Sequence, residues 1–311
     1  MLLYSGGLDS ILSYEVLRRA GADVVPVKFH SIFCPEAEEE SYLPEERLVT
    51  EDVSAEMVEL VKDPEHGHGK NVNPCMDCKQ MMYRRAWELA EQHGGDFIAT
   101  GEVVGQRPMS QRVDAFNAME ARAGVEAMVV RPLCAKNLPP TIPEKRRWVD
   151  REKLLGLSGR DRNPQMRLAA DWGIENYPSP AGGCRLTDPN YAQRIRDLTK
   201  LDLFTTANAR LVRNGRLFPL DAAFSVVGRD HEDNLSILQE SPIDALMLEL
   251  ENRPGPLAAL VGERTDENVT RTKELVIRYS RFEDLDTEAV VAVDPADMRQ
   301  RWIRRGAIQD T

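Results

Sequence analysis

At 311 residues, with 42% hydrophobic and 29% charged side chains, the chain is long enough to fold into two domains. It contains no apolar run of about 18 residues, which excludes a membrane-spanning helix, and its first residues read as a core strand rather than a secretion signal. We therefore expect a cytoplasmic protein without a membrane partner. Its five cysteines are too few and too scattered for a disulfide framework, so we interpret them as metal ligands, redox groups or buried thiols.

The net charge of −11 is distributed unevenly along the chain. Residues 36–65 contain twelve acidic and two basic side chains, whereas residues 145–216 contain fifteen basic and eight acidic ones. The acidic run is typical of a solvated face. The basic part remains available to a polyanion, so the overall negative charge does not exclude a nucleic acid as partner.

The first predicted strand, residues 2–4, leads into the hexapeptide Ser5-Gly6-Gly7-Leu8-Asp9-Ser10 and then into an amphipathic helix that stops before Gly21. The glycines let the backbone approach an anion closely, and the serine hydroxyls and the first helical amides can donate to it. This pattern predicts a phosphate-binding loop. It is not a Walker A loop, because no Gly-Lys-Ser/Thr follows, and the alternative is an ordinary Gly-Gly turn.

A second strand is expected at residues 23–29, at a sheet edge or a bulge because Pro26 cannot donate to a ladder. The next segment predicts a helix over residues 47–62, in which apolar side chains recur at helical spacing. A Gly- and His-rich loop follows. We expect its His66 and His68 to be solvated rather than to bind a metal.

Cys75 and Cys78 precede a helix that we expect over residues 79–93. Two cysteines with this spacing at the start of a helix can direct both sulfur atoms at one metal, and the helix N-terminus favours their thiolates. A redox CxxC motif and a pair of structural thiols are the alternatives. A zinc ribbon would need a second CxxC motif, which the sequence lacks.

A buried strand at residues 96–100 runs into a polar loop, residues 101–111. Ligands of open α/β sheets lie beyond the carboxyl ends of the strands, so this loop should lie near the first one. We assign Gly101 and Arg107 to nucleotide binding, and Gln106 and Ser110 could also reach a phosphate. The alternative is a loop with solvated side chains.

The next strand is expected at residues 127–133, and Cys134 and Cys34 are expected to be inert core thiols. These elements end a first domain, residues 1–137. A proline-rich stretch and basic helical residues follow in a linker region, residues 138–198, which carries Cys184 after Gly182 and Gly183. This third cysteine can join Cys75 and Cys78.

Residues 199–311 are interpreted as a separate α+β module. Strands are expected at residues 216–220, 223–227, 245–250 and 289–293, with a helix over residues 266–279. A basic tail of arginines is expected at the end, comprising Arg299, Arg301, Arg304 and Arg305.

The hexapeptide at residues 5–10 resembles the SGGxDS signature of the PP-loop ATP pyrophosphatases at all five fixed positions. Together with Pro74-Cys75-Met76-Asp77-Cys78 and Gly182-Gly183-Cys184, it makes residues 1–195 similar to the tRNA thiouridine synthases, which include the 4-thiouridine synthases and 2-thiouridylases. The C-terminal part is similar to the RNA-binding domain of NFACT proteins at residues 227–229 and 234–235. The resemblance implies a doubly wound parallel α/β sheet of the adenine nucleotide alpha hydrolase kind, with a smaller α+β C-terminal domain.

The same resemblance implies an ATP-dependent tRNA sulfurtransferase. A uracil carbonyl oxygen would attack the α-phosphorus of ATP, pyrophosphate would leave, and sulfur would then displace AMP. ATP and Mg²⁺ would be bound by Ser5, Gly6, Gly7, Leu8, Asp9, Ser10, Gly101 and Arg107. The implied catalytic residues are Asp9, Cys75, Cys78 and Cys184, and the three cysteines would hold a 4Fe-4S cluster whose fourth iron carries sulfide.

The implied partners are tRNA and a sulfur donor, either sulfide or a cysteine desulfurase. Three alternatives stay open at this point. The first is a persulfide relay with Cys184 as carrier and Cys75 or Cys78 as resolving thiol. The second is a PP-loop enzyme that activates a small-molecule carboxylate or amide, and the third is a catalytically silent RNA-binding protein.

Overall fold

The computed structural model describes residues 1–34, 42–107, 110–178, 183–305 and 308, and it divides into two compact units. The first unit comprises residues 1–69 and 73–184, and the second comprises residues 70–72 and 185–311. No helix in the described part of the chain is both long and apolar enough to cross a membrane.

A five-stranded parallel sheet forms the centre of the first unit. Its spatial order is β3-β2-β1-β4-β5, and Leu2 of β1 lies beside Pro26 on one side and Ala99 on the other. The prediction of a doubly wound parallel α/β sheet is confirmed. The strands are β1 (Leu2–Leu3), β2 (Pro26–His30), β3 (Val49–Asp52), β4 (Ile98–Thr100) and β5 (Val129–Val130).

Helices cover both faces of this sheet because neighbouring residues of each strand point to opposite sides. Ile98 and Val129 pack into one apolar cluster, whereas Ala99 and Val130 pack into the other. The helices of the unit are α1 (Leu8–Arg19), α2 (Ser54–Lys62), α3 (Cys75–Gln92), α4 (Val113–Ala123), α5 (Ile142–Lys145) and α6 (Asn163–Asp171). Helices α1 and α6 contribute to the cluster of Ala99, and α3 and α4 to that of Ile98.

The sequence interpretation was wrong for residues 47–52. They were assigned to a helix, but Val49–Asp52 form the edge strand β3, and the helix begins only at Ser54. Pro26 is therefore not at a sheet edge: it is the first residue of β2, which pairs with both β1 and β3. A proline is tolerated at the first residue of a strand.

The second unit contains a separate five-stranded antiparallel sheet in the order β10-β8-β9-β7-β6. Its strands are β6 (Arg216–Pro219), β7 (Ala223–Val227), β8 (Leu246–Leu250), β9 (Ala258–Gly262) and β10 (Val290–Val293). Its helices are α7 (Pro189–Lys200), α8 (Thr206–Leu211), α9 (His231–Glu240), α10 (Asp266–Arg278) and α11 (Pro295–Arg304). The predicted smaller α+β domain is therefore present.

Helices α8, α9 and α11 and strand β9 were not predicted from the sequence. Strand β9 is an almost wholly buried apolar segment between β8 and β7. The supposed basic tail is helix α11, and Arg301 and Arg305 form ion pairs with Glu249 at 3.1 and 3.0 Å. An Asp294 N-cap followed by Pro295 is a helix start signal that the sequence did contain.

The boundary between the units lies after Cys184, which differs from the domain limits expected at residues 137 and 198. Residues 138–184 do not form a region of their own, because Val149, Leu154 and Ile174 pack into the core of the first unit. Helix α7 instead packs on α8 and β6 of the second unit.

Candidate active site

The loop of residues 5–10 joins β1 to α1 and has the geometry of an anion cradle. Gly6 has a φ of +79°, which a residue with a side chain rarely adopts. The Ser10 hydroxyl donates to the Gly7 carbonyl at 2.7 Å, and the Ser5 hydroxyl accepts from the Gly7 amide at 3.4 Å. Helix α1 begins without a side-chain cap, so its positive end is free to face an anion.

Asp9 lies in the first turn of α1, and only one of its two carboxylate oxygen atoms has a hydrogen-bond partner among the described residues. Its Oδ2 accepts a hydrogen bond from Gln106 Nε2 at 3.0 Å, whereas its Oδ1 is buried without a partner. A buried carboxylate oxygen that lacks a donor costs free energy. A hard cation such as Mg²⁺ would satisfy it, so the donor set fits a magnesium-bound phosphate.

Gly101 connects this loop to the end of β4. A Cβ atom at residue 101 would stand 2.9 Å from both the Asp9 carbonyl carbon and the Ser10 amide nitrogen. A residue with a side chain therefore cannot occupy this position without moving the start of α1. The loop after β4 therefore packs directly against the loop at residues 5–10.

The rest of the loop after β4 is ordered by its own backbone. The Gly105 amide donates to the Gln111 carbonyl at 2.7 Å, and Ser110 and Gln111 are buried. Arg107 is exposed. The side chain of this loop that bonds to the Asp9 carboxylate is Gln106. The assignment of Arg107 to the nucleotide remains a prediction.

A buried network centred on Glu102 fixes the start of α3 to the end of the sheet. The Glu102 carboxylate pairs with Lys79, accepts a hydrogen bond from the Tyr83 hydroxyl, and lies 3.3 Å from Arg131 Nε. Arg131 in turn lies 2.6 Å from a carboxylate oxygen of Glu120 and stacks over Phe116. None of these residues was singled out from the sequence, since buried charged residues are rare unless paired.

The charges of this network reinforce one another. Burial disfavours the ionised Glu102 carboxylate, but the charges of Lys79 and Arg131 outweigh it and lower its pKa to about 2. Burial and then the charge of Glu102 raise the pKa of Tyr83 well above its ordinary value, which keeps its hydroxyl a donor. The Glu102 carboxylate is therefore ionised at neutral pH and is held by Lys79, Tyr83 and Arg131.

The cysteines of the CxxC motif lie in the first turn of α3. Cys75 is its first residue and is exposed, and Cys78 is half-buried and directly precedes Lys79 of the Glu102 network. Burial raises the pKa of the Cys78 thiol to about 12, and the nearby Cys184, Cys75 and Cys34 act in the same direction.

Cys184 lies near the Cys78 thiol, as its electrostatic influence on that thiol requires. It is half-buried and follows Gly183, whose φ is +90°. Gly182 of the same motif lies outside the described residues. Cys75 and Cys184 are thus both near enough to Cys78 to influence its thiol, and a single site made of the three remains a prediction.

In the described part of the chain, no three cysteine sulfur atoms lie within 4.8 Å of one another. A tetrahedral zinc site holds neighbouring sulfur atoms roughly 3.8 Å apart, given its 2.3 Å Zn–S bonds. A polynuclear cluster, in which each thiolate binds a different iron atom, takes ligands that stand farther apart.

The two remaining cysteines differ from each other. Cys134 is buried, and its thiol lies 3.4 Å from the Glu102 carbonyl oxygen, as expected for an inert core thiol. Cys34, expected to be equally inert, is half-buried at the carboxyl end of β2 and is close enough to influence Cys78. It is a fourth thiol of this region that the sequence did not reveal.

His66 is anchored to the CxxC turn rather than solvated. Its Nδ1 lies 2.5 Å from Asp77 Oδ1, and its amide donates to Asp77 Oδ2 at 3.3 Å. Asp77 is buried and lies between the two cysteines of the motif. The expectation was wrong for His66, whereas His68 is exposed, with its Nε2 2.9 Å from the Val61 carbonyl oxygen.

Replacing Glu102 tests the buried network. We expect Glu102→Gln to lower the free energy of unfolding by about 3 kcal/mol, because Lys79 and Arg131 lose their shared counter-charge. Urea unfolding measures this change. The control is Glu91→Gln, which alters an exposed carboxylate of α3, the helix that carries Lys79. It should change the free energy of unfolding by less than about 0.5 kcal/mol.

The pH dependence of the same variant has a definite sign. The pKa of Glu102 is about 2 when folded and 4.5 ordinarily, so its stabilising contribution is complete above pH 4.5 and is lost as the pH falls toward 2. The stability difference between wild type and Glu102→Gln should therefore shrink on acidification through this range. A difference that stays constant would contradict the assignment.

Replacing Asp77 tests the anchor of the histidine loop. Asp77→Asn removes the charged acceptor of the His66 amide, worth about 2 kcal/mol, so exchange of that amide should become roughly thirtyfold faster. Hydrogen exchange resolved to single residues measures this rate. Glu91→Gln again serves as the control, and equal rates in both variants would show that Asp77 does not hold the loop.

The proteins to which this chain is similar include a curated relative and a solved structure. A stretch of 118 residues is 31% identical to a "Probable tRNA sulfurtransferase" of Methanosarcina mazei, and the match covers 34% of this chain and 28% of that protein. The chain therefore spans little more than a quarter of that relative. The crystal structure of a "predicted subunit of tRNA methyltransferase" from Methanocaldococcus jannaschii shares 18% identity over 60% of this chain and 94% of that one, with a TM-score of 0.30, too low to support an argument.

The first unit also matches a family model. The matching model is described as "Thiamine biosynthesis protein (ThiI)", and the match covers residues 1–138. These residues contain the loop at residues 5–10, the CxxC motif and the Glu102 network, and they end before Cys184. Residues 1–138 are therefore similar to the ThiI family over most of the parallel-sheet unit.

Proposed function

We propose that this protein thiolates a uridine of tRNA in an ATP-dependent reaction. It would activate a uracil carbonyl oxygen with ATP, release pyrophosphate, and replace the activated oxygen with sulfur. The similarity of residues 1–138 to the ThiI family and the tRNA sulfurtransferase named among the relatives of this chain support this reaction class.

The observation that carries the proposal is the contact made by two adjacent residues, Gly101 and Glu102. Gly101 packs against the backbone of Asp9 and Ser10 in the nucleotide loop, and Glu102 pairs with Lys79, the residue next to Cys78. One short segment therefore holds both the ATP-binding candidate and the CxxC turn. A reaction that uses ATP activation and sulfur transfer on the same carbon needs such proximity.

In the activation step, the loop at residues 5–10 would bind the phosphates of ATP. The amides at the start of α1 would donate to an anion at this place, and the Ser5 and Ser10 hydroxyls would turn from their contacts within the loop to do the same. Asp9 Oδ1 would bind the Mg²⁺ that accompanies ATP, and Gln106 would fix the orientation of that carboxylate through Oδ2. The uracil oxygen would attack the α-phosphorus as pyrophosphate leaves.

In the sulfur step, the uracil carbon would accept sulfide and the bond to the AMP oxygen would break. Cys75, Cys78 and Cys184 are the thiols proposed to serve this step, and three thiolates are the ligand set of a 4Fe-4S cluster that leaves one iron free. Such a cluster, when bound, would supply an iron site for sulfide. Lys79 would keep the CxxC turn against the sheet through its pair with Glu102.

The activation step is tested by pyrophosphate release. We expect Asp9→Ala and Ser10→Ala to slow tRNA-dependent release of pyrophosphate by about a hundredfold or more, because each alters a group placed to act on phosphate or metal. Circular dichroism should be unchanged. Asp171→Ala, an exposed acid at the end of α6, is the control. Wild-type release in the Asp9 and Ser10 variants would refute the assignment of the loop.

The sulfur step is tested by iron content and thiolation of protein purified without oxygen. We expect a brown protein, and we expect Cys75→Ala, Cys78→Ala and Cys184→Ala each to lose both iron and thiolation to a similar extent. Cys134→Ala removes a core thiol outside this group and should retain both.

A different pattern would decide for a persulfide relay. The protein would then be colourless and active without iron, Cys184→Ala would be inactive, and either Cys75→Ala or Cys78→Ala would remain active. Thiolation by an iron-free anaerobic preparation would by itself rule out the cluster. Loss of activity in Cys134→Ala would show that the comparison reports stability rather than chemistry.

A further inference from the structure

Three arginines of the second unit are held by aromatic rings. The guanidinium carbon of Arg216 lies 4.6 Å from the ring centroid of Tyr279, and that of Arg278 lies 5.8 Å from the same ring. Arg253 lies 4.8 Å from the centroid of Phe282 in the same way. We call these five residues the arginine–aromatic surface.

The three arginines keep their charge available. In the described part of the chain, none of them lies within ion-pair distance of a carboxylate, whereas Arg229, Arg301 and Arg305 of the same unit do. An arginine stacked on a ring is held through its flat face and presents its N–H donors at the edge. One donor of Arg216 goes to the Gly228 carbonyl, at 3.4 Å. Such donors match the oxygen atoms of a phosphate group.

A groove adjoins this surface between the edge strand β6 and helix α10. Its volume is about 330 Å³, and its lining residues are Phe218, Pro219, Leu220, Arg271, Glu274, Leu275 and Arg278. Phe218 also packs against Tyr279, with ring centroids 5.7 Å apart. The groove therefore places the ring of Phe218 near the guanidinium groups of Arg271 and Arg278. Its volume is at the lower end of the range for small-molecule sites.

The groove and the arginines beside it would bind double-stranded and single-stranded nucleic acids in different ways. Arg271 pairs with the exposed Glu267, at 2.7 Å, which is a weak surface contact. A double-stranded nucleic acid would use the arginines alone, since its bases are stacked inside. An unpaired nucleotide would use both parts, with its phosphate on the arginines and its base against Phe218.

We propose that the arginine–aromatic surface and the groove beside it bind an unpaired segment of the RNA substrate. The inference rests on the proposed function for the identity of that RNA, but the surface is defined within the second unit alone. It gives the antiparallel-sheet unit a role in substrate binding and identifies the residues that perform it.

The test compares two double variants of equal charge in the full-length protein. Arg253→Ala/Arg278→Ala removes two exposed arginines of the surface. Arg299→Ala/Arg304→Ala removes two exposed arginines of α11. Helix α11 lies on the opposite face of the sheet, because Trp302 bonds to Glu249, whose neighbours Leu248 and Leu250 face α10.

Affinity for an unmodified tRNA transcript is measured by fluorescence anisotropy over a range of salt concentrations. We expect the surface variant to bind at least about tenfold more weakly, with a plot of log affinity against log salt whose slope is shallower by about 1 to 1.5. The α11 variant should stay within about twofold of wild type. Arg253→Lys/Arg278→Lys, which keeps the charge but loses the stacked geometry, should recover most of the salt slope and only part of the affinity.

The outcomes separate this inference from the proposed function. If wild type binds tRNA and the two alanine variants lose affinity equally or not at all, the surface is not the RNA site while the proposed function stands. If wild type does not bind tRNA, both are overturned. Selective loss in the surface variant, with an unchanged circular dichroism spectrum, supports the inference.

Discussion

The architecture of the candidate site depends on the ionised carboxylate of Glu102. It lies directly after Gly101, which has no side chain and therefore packs against the backbone of Asp9 and Ser10. It also pairs with Lys79 and Arg131, which join α3 and β5 to the end of β4. Removing one partner of a buried charge network costs about 3 to 5 kcal/mol, so these elements are held together by an interaction that tolerates little change.

This arrangement explains how two local motifs become one site. The loop at residues 5–10 and the CxxC turn are more than sixty residues apart, and neither contains information about its distance from the other. The parallel sheet brings their elements to the same edge, and the Glu102 network then fixes the first turn of α3. The His66–Asp77 contact adds a second anchor to the turn that carries Cys75 and Cys78.

The sequence predicted what depends on neighbouring residues. The glycines, the hydroxyls and Asp9 of the nucleotide loop follow one another directly, and the CxxC spacing is equally local. Long-range pairs were missed: Lys79 and Glu102 are 23 residues apart, and Arg131 and Glu102 are 29 apart. A charged residue in a sequence is expected at the surface, so nothing marked Glu102 and Arg131 as buried or Lys79 as half-buried. Strand β3 was missed because its few residues also fit a helical repeat, and packing decided between the two.

The central claim is that ATP activates the oxygen atom that sulfur replaces. It is tested most directly with tRNA whose uracil carbonyl oxygens carry ¹⁸O, incubated with the protein, ATP and sulfide without oxygen. We expect one labelled oxygen in the phosphate of AMP for each thiouridine formed, because in the proposed reaction the uracil oxygen becomes part of the AMP that leaves. Thiouridine formed together with unlabelled AMP would contradict it.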